Sequence, residues 1–205
     1  MNMKKSVQIL AVALVAITFL TSAATNGYKV GDTVKDFSLK NVDGKMMSLK
    51  DNTNAKGAIV IFTCNHCPYA KAYEQRVMNL DKMYRSKGFP VIAINPNDPV
   101  AVPDDSYDNM VKNARQKGYT FPYLFDETQQ VARQFGAART PHVYVLNKTD
   151  KGYEVAYIGA IDDNTEDAGA VQHKYVEDAV NALLNGKTIP VTETKAVGCT
   201  IKWKS

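Results

Sequence analysis

Ala58-Ile59-Val60-Ile61-Phe62-Thr63-Cys64-Asn65-His66-Cys67-Pro68 is the stretch from which the rest of the chain can be read. Its first five residues are a continuous apolar run with β-branched side chains. That pattern suits a strand buried on both faces, as in a parallel sheet. Pro68 fits the first turn of a helix, where its missing N–H leaves no hydrogen bond unmade. Ala70, Tyr73, Val77, Leu80 and Tyr84 then recur at helical spacing, polar residues fill the other face, and Gly88 ends the helix. Two thiols two residues apart therefore fall at a strand-to-helix junction. Such a pair is more often metal-binding or redox-active than structural, because closing so short a loop removes little chain entropy.

Outward from this corner the chain alternates. Before it, Val34 to Leu39 and Met46 to Leu49 flank an Asp43-Gly44 turn and read as a hairpin. After it, Phe89 to Ile94 is a buried strand, and Asn95-Pro96-Asn97-Asp98-Pro99 breaks the chain. Asp104-Asp105-Ser106 offers N-cap residues to a helix carrying Tyr107, Met110, Val111 and Ala114. Pro122 to Phe125 is a short strand. Asp126-Glu127-Thr128-Gln129 has the form of a capping box with Asp126 as the cap. His142 to Leu146 and Tyr153 to Ala160 read as antiparallel partners, and Val171 to Leu184 as a final helix stopped at Asn185-Gly186. This order predicts an α/β fold, a central mixed sheet with helices on both faces and right-handed crossovers.

The ends read differently. Residues 1–23 have the form of a secretory signal peptide: basic Met1 to Lys5, apolar Val7 to Leu20, then small residues allowing a cut after Ala23 or Ala24. The apolar run is shorter than the ~20 residues a spanning helix needs. A globular domain over 27–188 and a tail over 189–205 follow. The expected location is exported, periplasmic or extracellular, with no membrane attachment after cleavage. The net charge of +4 includes Lys4 and Lys5 of the leader, and no long basic run interleaved with aromatics is present. Nucleic acid is therefore not an expected partner. Three cysteines, Cys64, Cys67 and Cys199, are too few for a disulfide-stapled scaffold.

At this point the chain resembles the thioredoxin-like superfamily. The match is carried by Cys64-Asn65-His66-Cys67 between strand and helix, by Thr140-Pro141 before a later strand, and by the hairpin and helix that follow. It is similar in particular to the exported AhpC/TSA (redoxin) branch. That branch has an N-terminal β-hairpin and a helical insertion, here about Pro96 to Tyr119; Phe121 to Asp126 also fits it. The resemblance covers roughly Gly31 to Gly186. It implies a thioredoxin-like fold and a cis bond at Pro141 packed against the dithiol, leaving backbone groups there to pair with an extended substrate segment. It also marks a departure: many thioredoxins carry a buried acid six positions before the first cysteine, where this chain has Ala58.

The chemistry expected of such a corner is thiol–disulfide exchange, with protein or small-molecule thiols and disulfides as partners, a separate redox partner, and no cofactor. Cys64, just before a helix N-terminus, is the expected nucleophile, and Cys67 resolves the mixed disulfide. Asn65, His66, Thr140 and Pro141 support them, with His66 able to stabilise a Cys64 thiolate. Two rivals use the same residues. In a peroxidase, Cys67-Pro68 would be the peroxidatic pair and Arg139 would hold the peroxide, although Cys64 stands where that pattern has Thr or Ser. In a metal site, the pair would need Cys199, His66, His142 or His173 as further ligands, since zinc usually takes four. Cys199 itself reads as a small buried apolar residue, the alternative being a third redox thiol on a tail that reaches the corner.

Overall fold

The structure is a computed structural model that describes residues 27–205; the leader expected over 1–23 lies outside them. Seven strands form one mixed sheet in the order β2-β1-β5-β4-β3-β7-β8. They are β1 (Ser38–Asn41), β2 (Met46–Ser48), β3 (Gly57–Phe62), β4 (Val91–Asn95), β5 (Tyr123–Phe125), β7 (His142–Thr149) and β8 (Gly152–Gly159). Two short strands, β6 (Arg139–Thr140) and β9 (Cys199–Thr200), pair apart from it. The helices are α1 (Pro68–Tyr84), α2 (Tyr107–Lys117), α3 (Gln130–Phe135) and α4 (Tyr175–Leu184). This is the thioredoxin-like architecture anticipated above. Among the described residues no helix is long and apolar enough to cross a membrane.

Strand β3 is fully buried along its whole length, and its alternation divides the core. Ile59 and Ile61 pack with Tyr73, Val77, Leu80 and Tyr84 of α1, Met110 of α2, and Val176 and Val180 of α4. Ala58, Val60 and Phe62 face the other way, against Val131 and Phe135 of α3, Leu39 of the hairpin, and Ile201 of the tail. The period of two in a strand produces both faces from one apolar run.

Registry then determines where the thiols lie. β3 runs parallel to β4, with Phe62 opposite Ile94, and antiparallel to β7, with Phe62 opposite His142. The C-terminal ends of β3 and β4 therefore share one edge of the sheet with the start of β7. Cys64, Asn95 and Thr140-Pro141 must meet there, although up to 77 positions separate them in sequence.

Some boundaries differ from the sequence expectation. The final helix starts at Tyr175, not Val171; a 3-10 turn at Ala168–Ala170 precedes it. The third helix does not begin from an Asp126 cap. Its N-cap position is Gln129, in a left-handed conformation (φ 60°), and Asp126 Oδ2 instead accepts the Ala132 N–H at 2.7 Å. Asp126 is buried directly after β5, three positions before the cap residue, and its carboxylate faces the N–H groups of the first helical turn from there.

Candidate active site

Helix α1 opens as its sequence implies, with Pro68 at its first position and Cys67 as the N-cap residue; no side chain caps it. The Cys64–Cys67 loop is held from a distance by one carboxylate. Asp105 is fully buried, and its Oδ1 accepts the Asn65 N–H at 2.6 Å and the His66 N–H at 3.3 Å. Its Oδ2 meets His66 Nδ1 at 2.5 Å and accepts from Asn97 Nδ2 at 2.7 Å. Asn65 carries the clamp further: its Oδ1 accepts from Tyr123 Oη and Asn113 Nδ2, and its Nδ2 donates to the Asp104 carbonyl. The N-cap role expected of Asp104-Asp105-Ser106 is thus not what Asp105 does. It ends a 3-10 turn, and Ser106 occupies the cap position of α2 without a side-chain cap bond.

On the opposite side stands Thr140-Pro141, whose peptide bond is cis. Cys64 Sγ lies 3.2 Å from Thr140 Oγ1, and Cys67 Sγ lies 3.2 Å from the Thr140 carbonyl oxygen. All six residues singled out in the sequence, Cys64, Asn65, His66, Cys67, Thr140 and Pro141, thus belong to one corner. The backbone edge beside Pro141 is occupied by the chain itself. β9 pairs antiparallel with β6, Thr140 opposite Cys199 and Arg139 opposite Thr200. Cys67 and Cys199 form a disulfide with Cα atoms 6.1 Å apart, and Cys64 is the free thiol. Cys199 is therefore not an inert packing residue, and the edge expected to receive substrate is filled by the tail.

The electrostatics of Cys64 also depart from the expectation of a helix-lowered thiol. Its pKa is pushed up to about 11, first by burial and second by the negative charge of Asp105. The Thr140 hydroxyl and the N–H groups of Cys67 and His66 pull the other way without prevailing. His66 turns its Nδ1 to Asp105, so its imidazole serves the loop clamp.

Cys64, His66 and Asp105 offer three donor atoms within 4.8 Å of one another, a possible start for a cation site. Asp105, however, already accepts from two backbone N–H groups and Asn97 and bonds His66, which commits its oxygens to the loop. A fourth ligand of the kind zinc prefers is absent from that cluster among the described residues.

Asp105, Asn97, Asn113 and Tyr123 were not identified as site residues from sequence. A usable signal existed: sites in α/β sheets lie beyond the carboxyl ends of parallel strands, and Pro96-Asn97-Asp98 directly follows such an end at Asn95.

The sequence profile described as AhpC/TSA family matches residues 30–156. The thiol-disulfide oxidoreductase ResA of Geobacillus thermodenitrificans is 27% identical over 122 residues, covering 60% of this chain and 66% of that protein. A crystal structure of an uncharacterized conserved protein from Geobacillus kaustophilus superposes with a TM-score of 0.79 at 38% identity, covering 87% of this chain and 94% of that one. A hypothetical protein from Sinorhizobium meliloti 1021 gives a TM-score of 0.80 at 30% identity, covering 88% and 97%.

Proposed function

Because the chain belongs to the AhpC/TSA family, we propose that it is a thiol–disulfide oxidoreductase whose exchanging pair is Cys64 and Cys67. The observation that carries this reading is the seating of both sulfurs on Thr140, at 3.2 Å each, beside the cis Thr140–Pro141 bond. Cys64 is the thiol that opens a disulfide and Cys67 the thiol that resolves it. Asp105, through Asn65 and His66, keeps the loop in the conformation that brings them together. The name of the ResA relatives supports the reaction class. The apolar run Val7 to Leu20 supports export, to a compartment where disulfides persist. Protein or small-molecule thiols are the substrates of this reading.

The peroxidase alternative gains nothing from the site. Cys67 is fully buried and disulfide-bonded, and Arg139 Nη1 donates to the Gly198 carbonyl at 2.8 Å. The test is turnover of insulin disulfides with dithiothreitol as reductant. Cys64→Ser and Cys67→Ser are each expected to lose it. Full turnover by Cys64→Ser sinks the assignment.

A further inference from the structure

The tail that covers the corner is seated by far more than a sulfur–sulfur bond. Lys202 N donates to Asn97 Oδ1, and the Lys202 carbonyl accepts from the Asp98 N–H and from Gln129 Nε2. Lys204 N donates to Gln129 Oε1, Ile201 N donates to the Ala138 carbonyl, and Ile201 is 3% exposed in the core. Gly198 passes so close to the site that an added Cβ would lie 2.3 Å from the Thr140 carbonyl oxygen and 3.0 Å from Pro141 N. Only a residue without a side chain fits there. None of these contacts runs through the disulfide.

The consequence is a question of access. Cys64 is 5% and Cys67 0% exposed, while Cys199 is only half-buried. A folded or bulky partner meets Cys199 first.

We propose that Cys199 is a third redox-active residue, the port through which the sealed Cys64/Cys67 pair exchanges disulfides with a protein thiol partner. The proposal rests on the exchange function assigned above and adds its route. With Cys64 and Cys67 joined, the Cys199 thiolate attacks Cys67 Sγ. The Cys67–Cys199 bond forms, the Cys64–Cys67 bond breaks, and Cys64 leaves as a thiolate that takes up the proton Cys199 gave up. A substrate thiolate then attacks Cys199 Sγ, forming a mixed disulfide, and Cys67 leaves and is protonated. The second thiolate of the substrate attacks its own sulfur in that mixed disulfide and releases Cys199. Two electrons have passed from the substrate dithiol to the Cys64/Cys67 disulfide. Run backwards, the same steps reduce a substrate disulfide, and Cys64 opens the Cys67–Cys199 bond. The tail is thus the chain's own strand addition at the cis-proline edge, placed where a mixed disulfide with an extended peptide would lie.

The test uses the full chain oxidised with oxidised glutathione, quenched in acid, alkylated and mapped by mass spectrometry. Wild type is expected to carry Cys67–Cys199 with Cys64 alkylated, and Cys199→Ser to carry Cys64–Cys67. The oxidised proteins are then mixed with reduced, unfolded ribonuclease A as the protein dithiol. Cys199→Ser is expected to oxidise it at least about tenfold more slowly than wild type, since a buried disulfide is attacked slowly. Gly198→Ala keeps all three cysteines but unseats the tail, so it is expected to shift the map toward Cys64–Cys67 and slow the reaction in parallel. A wild-type map with Cys64–Cys67 alone overturns the proposal. So does a rate for Cys199→Ser equal to or above wild type, which would make the tail a cover and not a port. Failure of Cys64–Cys67 to form in Cys199→Ser would instead overturn the dithiol assignment itself, and the port with it.

Discussion

Cys64 is held as a thiol by two effects acting in the same direction. Burial deprives a thiolate of water, and the Asp105 carboxylate repels its charge, so the proton is retained to about pH 11. The nucleophile is the thiolate, so the reactivity of Cys64 should follow pH across the whole neutral range. In the form with Cys67 bonded to Cys199, alkylation of Cys64 by iodoacetamide is expected to accelerate about tenfold per pH unit, with no plateau below about pH 10. Asp105→Asn removes the repelling charge and keeps an acceptor for the loop. Its expected effect is a several-fold faster alkylation at pH 8, roughly 3–10-fold. A plateau near pH 8.5 in the wild type would show that the helix N-terminus, not burial, governs this thiol.

In two elements a single buried side chain makes a contribution that can be tested. Ile201 is the apolar anchor of the tail, beside its hydrogen bonds and the disulfide, and its truncation to alanine should cost about 2–4 kcal/mol of docking. Hydrogen exchange of the Ile201 and Lys202 amides should then rise toward unprotected rates while β3 and β4 stay protected. Equal loss of protection everywhere would mean that the tail and the sheet unfold together. At α3, Asp126 Oδ2 accepts the Ala132 N–H, while Oδ1 has no hydrogen-bond partner among the described residues. Burial raises its pKa, against the pull of the N–H groups at the start of the helix. Asp126→Asn keeps the acceptor and removes a poorly solvated charge. In urea denaturation at pH 7 it should match or exceed the wild type, whereas Asp126→Ala should lose about 1–3 kcal/mol.

The whole molecule is squeezed by pH from both sides. Cys64 has a folded pKa raised from 9.0 to about 11. The folded chain keeps a proton that the unfolded chain gives up, so this contribution is intact below pH 9 and lost as pH rises to about 11. It amounts to about 2–3 kcal/mol. Burial raises Tyr123, Tyr144 and Tyr157 as well, adding to the alkaline loss. His142, beside Pro141, is lowered from 6.5 to about 4 by burial and then by the charge of Arg139. Its contribution is intact above pH 6.5 and lost as pH falls toward 4, while Asp126, raised, acts in the opposite sense. Melting temperature against pH should therefore decline above pH 9, and below pH 6.5 it should decline less in His142→Gln than in the wild type. An acid limb unchanged by that substitution would remove His142 from the account.

How much of this was legible beforehand follows from the range of each interaction. The runs Ala58 to Phe62 and Ala70 to Tyr84 are local patterns, and they sufficed for the strand, the helix and the thiols between them. Thr140-Pro141 was placed at the same corner by family resemblance and confirmed by the register of β7 on β3. Asp105 was misread because its capping pattern is local while its true partners, Asn65 and His66, lie about 40 positions back. The tail was illegible for the same reason. Lys202 finds Asn97 and Gln129 at separations of 105 and 73, and no periodicity within 189–205 announces either.

Chain order gives the tail a further consequence. Asn97, Gln129, Ala138 and Thr140 all precede residues 198–204, so they leave the ribosome first, and the docking seat can be complete before its occupant exists. Cys64 and Cys67 emerge 132 or more residues ahead of Cys199. Any oxidant present during emergence meets only those two sulfurs. Where oxidation acts during emergence, the first crosslink formed is Cys64–Cys67, and the bond to Cys199 follows by rearrangement. A molecule oxidised in that order runs one internal exchange as part of its own maturation, before meeting a partner.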